Sequence, residues 1–134
     1  MVIIARMSIL SVGAGSRAES LNGLPIRLIN LKDGYEAIRS FKTEHVDSVI
    51  SHWHLADMPN GQFLKKLKAA KPDMPTIAIV EGDNPQQEIE ARSLGVAAVI
   101  TEDSSEEHFR DVITAVLGLT DVRAIEELYA VKGI

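Results

Sequence analysis

The chain has 134 residues, enough for one domain with a single ordinary core and too few for two. Its 14 Lys and Arg against 19 Asp and Glu give a formal charge of −5, and the basic residues are scattered, so neither a nucleic-acid surface nor an anionic-membrane surface is expected. Cysteine is absent, which excludes disulfide frameworks, thiol catalysis and cysteine metal sites and fits a reducing compartment.

The opening MVIIARMSIL is apolar but interrupted by Arg6, too short to span a bilayer, and without the basic head and cleavage site of a secretory signal. A cytoplasmic location is expected. Ser8 to Val12 reads as the first strand, with Val2 to Ile4 a possible backward extension. The next residues, SVGAGSRAES, pose the first functional question. Gly13, Gly15 and Ala18 fit G-x-G-x-x-G/A, in which small residues let a strand turn into a helix whose N-terminus holds a pyrophosphate. Asp33 stands about where such a site wants an acid for a ribose hydroxyl. A short helix should follow the glycines and stop near Asn22 and Gly23, because Pro25 disfavours helix in the residue before it.

Ile26 to Leu31 reads as the second strand. Asp33 and Glu36 have capping-box spacing, which gives Asp33 a structural role as well. The helix they open is expected to bury Ala37, Ile38 and Phe41. Ser48 to Ile50 forms a third strand buried on both faces. Phe63, Leu64, Leu67 and Ala70 recur at helical spacing until Lys71-Pro72-Asp73, and Thr76 to Val80 is the fourth strand. Asn84-Pro85 opens another helix with a cap followed by proline, and Gly95 closes it as a left-handed cap. Ala97 to Thr101 is the fifth strand. Ser104 and Glu107 then form a capping box for a helix with Phe109, Val112, Ile113 and Val116 inward, ended by Gly118. Beyond it, Thr120 caps Asp121 to Val131, where Val122, Ile125, Leu128 and Tyr129 recur at helical spacing.

Strands rich in β-branched residues alternating with amphipathic segments predict an α/β fold with a parallel sheet. The segments DSVISHWHLADMPNGQFLKKLKAAKPDMPTIAIV and EARSLGVAAVITED, with LKDGYEAIRSF before them, make the chain resemble the CheY-like receiver domains of response regulators as far as about Leu117. The resemblance implies a flavodoxin-like, doubly wound five-stranded sheet in the order 2-1-3-4-5, with five helices and an extra C-terminal helix. It divides the chain into a receiver-like domain, 1–118, and a helical extension, 119–134.

Receivers accept a phosphoryl group on an aspartate at the end of the third strand. Acids after the first strand hold Mg²⁺, a hydroxyl residue follows the fourth strand, and a lysine follows the fifth. The resemblance lays the acid pair on Gly13 and Ala14, the nucleophile on His52, the hydroxyl on Val80 and the lysine on Glu102, with Asp103 in the place of the following proline and Val99 in that of the aromatic switch residue. Every one of these positions has lost its chemistry. A degenerate receiver is therefore expected: a protein-protein interaction module in signal transduction or transcription control, independent of phosphorylation and not an enzyme, with no cofactor and no metal. The family's usual contact face would carry Gln86, Glu90, Ser93, Val99, Glu106 and Arg110.

Other readings stay open. A small-ligand or nucleotide sensor would use the crevice at the strand carboxyl ends, lined by Gly13, Gly15, His52, His54 and Glu102. His52 and His54 have the spacing of a metal pair with Asp57 as a third ligand, but a strand-end histidine hydrogen bonded to Glu102 is the preferred expectation. A phosphohistidine at His52 would face Glu102 where a cation is needed. The acids Glu81, Asp83, Glu102 and Asp103 are read as loop and cap residues. Trp53 is either an interface anchor or a core residue. Protein partners of a signalling pathway are expected, and Ile125 and Leu128 are expected to make the chain a homodimer.

Overall fold

The computed structural model describes residues 6–118. The domain boundary expected at 118 and the C-terminal helix with Ile125 and Leu128 lie outside the described residues. Five parallel strands form one sheet in the order β2-β1-β3-β4-β5: β1 Met7–Val12, β2 Ile26–Leu31, β3 Ser48–His52, β4 Thr76–Val80 and β5 Ala98–Thr101. Two of the expected strands, Ile26–Leu31 and Thr76–Val80, have the expected limits, and the others differ by one or two residues at an end.

Among the described residues four α-helices connect or follow the strands: α1 Gly34–Ser40, α2 Gln62–Ala70, α3 Pro85–Leu94 and α4 Glu106–Leu117. The first crossover is a 3-10 helix, Gly15–Leu21, in which Ala18 and Leu21 are buried. Such helices are usually one turn long because their hydrogen bonds are poorly aligned. This one is held from outside, as described below for Arg110.

The sheet separates two apolar layers. On one face, Leu10, Val12 and Val49 meet Ala37 of α1, Phe63, Leu64 and Leu67 of α2 and Ala91 of α3. On the other, Ile9, Ile50, Ile77, Ile79 and Ile100 meet Leu21 of the 3-10 helix and Phe109 and Ile113 of α4. This is the burial that alternating side chains of a doubly covered sheet produce. β3 and β4 are buried along nearly their whole length.

Local chemistry sets the helix ends. Asp33 accepts the Glu36 amide at 2.8 Å, as its capping position predicts. Asn84 accepts the Gln87 amide at 3.4 Å ahead of Pro85, and α3 ends at Gly95 with φ of 89°. The cap of α4 is Ser105, which accepts the His108 amide at 3.0 Å, and not the expected Ser104. Ser104 instead exchanges a hydroxyl hydrogen bond with Thr101 at 2.9 Å, which holds it to the end of β5. One apolar expectation also fails: Ile38 is 38% exposed, where it borders a groove that Phe41 of the same segment and Phe63, Leu67 and Ala70 of α2 also line.

Candidate functional site

The carboxyl ends of β1, β3, β4 and β5 border a crevice of about 430 Å³, lined by Gly13, Ala14, Arg17, His52, Ile79, Glu102 and Asp103. Four of the five positions read as a lost phosphoacceptor site are thus close together. The fifth, Val80, is buried at the end of β4, and the next amide, that of Glu81, donates to Gln87 Oε1 at 2.9 Å. Gly15 and His54, also expected to line the crevice, do not, and Arg17 and Asp103 do.

His52 sits at the end of β3 with its Nε2 2.9 Å from Glu102 Oε2, the pairing expected from sequence. Its Nδ1 accepts the backbone amide of His54 at 3.1 Å. A nitrogen that accepts a backbone N–H carries no proton of its own, so the ring proton is on Nε2, which donates to the carboxylate. Both ring nitrogens are engaged. A nucleophilic or metal-binding imidazole needs a free lone pair, and here the only lone pair is directed at a main-chain amide.

His54 lies past the strand end in a bend, exposed, with its own Nδ1 3.4 Å from the Asn60 amide. The extended geometry that would aim both imidazoles at one ion is therefore absent. Asp57, the third residue of that candidate set, is committed elsewhere: its carboxylate accepts the amides of Gly34 at 3.0 Å and Tyr35 at 2.9 Å. Burial opposes ionisation of Asp57, but these two amides, with its own and that of Met58, outweigh it and hold the carboxyl below its ordinary value. With Asp33 on Glu36, the two carboxylates satisfy three amides at the start of α1.

Gly13, the first glycine after β1, lies against the loop that follows β3. Gly13 has φ of 68°, and its amide donates to Leu31 O at 2.9 Å. A Cβ placed on Gly13 would come within 2.7 Å of Leu55 Cδ2, a buried side chain from the loop after β3. An aspartate at this position would need a backbone conformation that side chains resist and the space that Leu55 fills. On the far side of that loop, Trp53 is 1% exposed. It is a core residue, covered by Gly61, whose φ is 76° and whose missing Cβ would overlap the indole ring. The Gly61 amide donates to Trp53 O at 2.9 Å, and Lys65 Nζ lies 5.7 Å from the ring centre.

Arg17 was not legible as a crevice residue, because its place there depends on the reach of a long side chain. Its Nη1 donates to Ser104 O at 3.1 Å, linking the 3-10 helix to the loop after β5. On the neighbouring face, Gln86, Ser93 and Glu106 are exposed as expected, while Glu90 and Val99 are half-buried. Arg110 contradicts its placement on that surface. It is 8% exposed, and its Nη1 donates to Ser20 O at 2.8 Å and Asn22 O at 2.6 Å, the carbonyls at the end of the 3-10 helix. Sequence reasoning also passed over Ile89, 57% exposed on α3 and in register with Gln86, Glu90 and Ser93.

No protein-family model matches the chain, and no curated protein matches it. Solved structures do. The signal receiver domain of an HD domain-containing protein from Pseudomonas fluorescens Pf-5 is 20% identical, with 85% of this chain and 96% of that one aligned at a TM-score of 0.74. The receiver domain of a putative Luxo repressor from Vibrio parahaemolyticus is 13% identical over 92% of this chain and 97% of that one, at 0.75. The receiver domain of a sensor histidine kinase from Pseudomonas aeruginosa, which coordinates a magnesium ion in its active-site cleft, is 16% identical over 85% and 99%, at 0.70. The chain has the CheY-like receiver fold, in the flavodoxin-like strand order.

Proposed function

We propose that this chain is a pseudo-receiver: a signalling module that acts by binding other proteins and carries out no phosphoryl transfer. The observation that carries this reading is the packing of Leu55 against Gly13 beside a His52 whose two nitrogens are both occupied. A worn-down phosphorylation site could have stayed open. Here the volume of the first metal-binding acid is filled by a core side chain, and the nucleophile's place is taken by an imidazole bonded to a carboxylate. Glu102 adds negative charge where a transferring phosphoryl group needs a cation.

The contact surface in this reading is the face of α3, β5 and α4, with Gln86, Glu90 and Ser93 around Ile89 on α3 and Glu106 on α4. An exposed aliphatic side chain ringed by polar ones is the composition of a small binding anchor. The fold of the solved relatives supports a role in signal transduction, with protein partners. Among the described residues no helix is long and apolar enough to cross a membrane. A cytoplasmic role belongs to this proposal and rests on the sequence and the signalling assignment. Residues 119–134, with Ile125 and Leu128, are read as a self-association segment.

A second reading has one observation in its favour. Arg17 puts a guanidinium in the same crevice as Glu102 and Asp103, so a small zwitterionic or phosphorylated ligand has groups of both signs to meet there. A thermal-shift screen of the full chain against Mg²⁺, nucleotides and small phosphorylated metabolites separates the two. The interaction-module reading expects no saturable stabilisation. A saturable shift that Arg17→Ala removes would make the chain a ligand sensor instead.

A further inference from the structure

Residues of α1 and α2 and the turns that follow them line an apolar groove of about 230 Å³, formed by Ile38, Phe41, Phe63, Leu67 and Ala70, with Lys66 and Lys71 also in its wall. It lies on the sheet face opposite α4 and away from the crevice. Ile38 is one of three large apolar side chains exposed among the described residues, and a second, Tyr35, precedes it by three positions on α1. The charge around the groove is one-sided. Residues 62–71 contain Lys65, Lys66, Lys68 and Lys71 and no acid, in a chain whose net charge is −5. Lys71 lies over the Phe41 ring with Nζ 5.7 Å from its centre, and Lys66 has no ion pair among the described residues.

The chain also carries the complement of this surface. Residues 119–134 place Val122, Ile125, Leu128 and Tyr129 at helical spacing, with Glu126 and Glu127 between them. One apolar groove walled by lysines and one apolar stripe flanked by glutamates in the same sequence are complementary in polarity and in charge. We propose that the groove between α1 and α2 receives residues 119–134 of a second copy, in a reciprocal exchange that builds a two-fold dimer. This rests on the reading of the chain as an interaction module and names the surface used for self-association.

Reach favours a second copy over the chain's own tail. The described chain stops at Gly118, at the end of α4, with the whole sheet between it and the groove. Four residues, from Gly118 to Val122, span at most about 14 Å fully extended. Crossing two packed layers takes roughly 20 Å at about 10 Å per layer. A helical stripe beginning at Val122 therefore starts too early to lie in its own groove.

Light scattering and sedimentation of the full chain test the proposal, with circular dichroism to confirm that each variant is folded. The wild-type chain is expected to be a dimer. Lys66→Glu with Lys71→Glu should weaken it at least tenfold, as should Ile125→Glu with Leu128→Glu, and Glu126→Lys with Glu127→Lys should restore association to the lysine-reversed chain. The sequence has no cysteine, so a chain carrying Ile38→Cys and Leu128→Cys reports the pairing directly, and oxidation should give covalent dimers. Three results would overturn the proposal. A monomeric wild type would do so and leave the interaction-module reading standing. A dimer broken by the tail changes but indifferent to Lys66, Lys71 and Ile38→Glu would place the tail elsewhere. An internal disulfide in a monomer would assign the groove to the chain's own tail.

Discussion

His52 donates from Nε2 to Glu102 across 2.9 Å while its Nδ1 accepts the His54 amide, so the side chain at the end of β3 bridges to the loop after β5 with both nitrogens committed. The consequence is a fixed tautomer. In a long-range ¹H–¹⁵N spectrum of the neutral ring, His52 is expected to show a protonated Nε2 and a bare Nδ1. Glu102→Lys, which puts a lysine where receivers have one, should cost about 1 kcal/mol by removing the acceptor, since Glu102 is half-exposed. The opposite tautomer would contradict the hydrogen-bond assignment.

Gly13→Asp should fail to rebuild a metal site and should destabilise the domain. Positive φ costs a side chain about 1–2 kcal/mol, and overpacking against Leu55 adds roughly 1–3 kcal/mol. The overlap can be isolated by a double-mutant cycle in denaturant unfolding. Gly13→Ala should cost less in a Leu55→Ala background than in wild type, because the colliding Cδ2 is gone. Strict additivity would show that the backbone, and not Leu55, excludes a side chain there.

Asp57 links the loop after β3 to the start of α1, and its contribution depends on pH in a defined direction. Its carboxyl is held below the ordinary value when folded. The stabilisation is therefore fully present above the unfolded value of about 4 and lost as pH falls through the folded one. Asp57→Asn should lower stability by about 1 kcal/mol at neutral pH, the size of a lost helix cap. The gap between variant and wild type should narrow on acidification below about pH 4. A gap that stays constant down to pH 2 would mean that the carboxylate charge contributes nothing.

Arg110→Ala should cost roughly 1.5–3 kcal/mol, because it removes the charged donor that the carbonyls of Ser20 and Asn22 share. Hydrogen exchange should quicken in residues 15–24 more than in α4 itself. Uniform exchange across the domain would argue against a local tie.

The strands and caps were legible because each rests on local chemistry. Thr76 to Val80 is an unbroken apolar run between turn signals, and Asn84-Pro85 and Gly95 carry their backbone preferences with them. The pairing of His52 with Glu102 was legible as well, since a receiver frame brings the ends of β3 and β5 side by side. What escaped depends on side-chain reach. The family resemblance puts Arg110 on the contact face, yet its guanidinium reaches carbonyls about 90 positions away. Leu55 reads as an ordinary loop residue until β1 and β3 are adjacent and Gly13 lies beneath it. Ser104 and Ser105 are equally good caps in sequence, and only the Thr101 hydroxyl decides between them.

The claim that the phosphoacceptor site is closed is tested most directly by incubating the full chain with Mg²⁺ and acetyl phosphate and weighing it intact. The mass is expected to stay that of the unmodified chain at every time point, with His52 and Glu102 unperturbed in the spectra. A stoichiometric gain of one phosphoryl group, wherever it resides, would contradict the account.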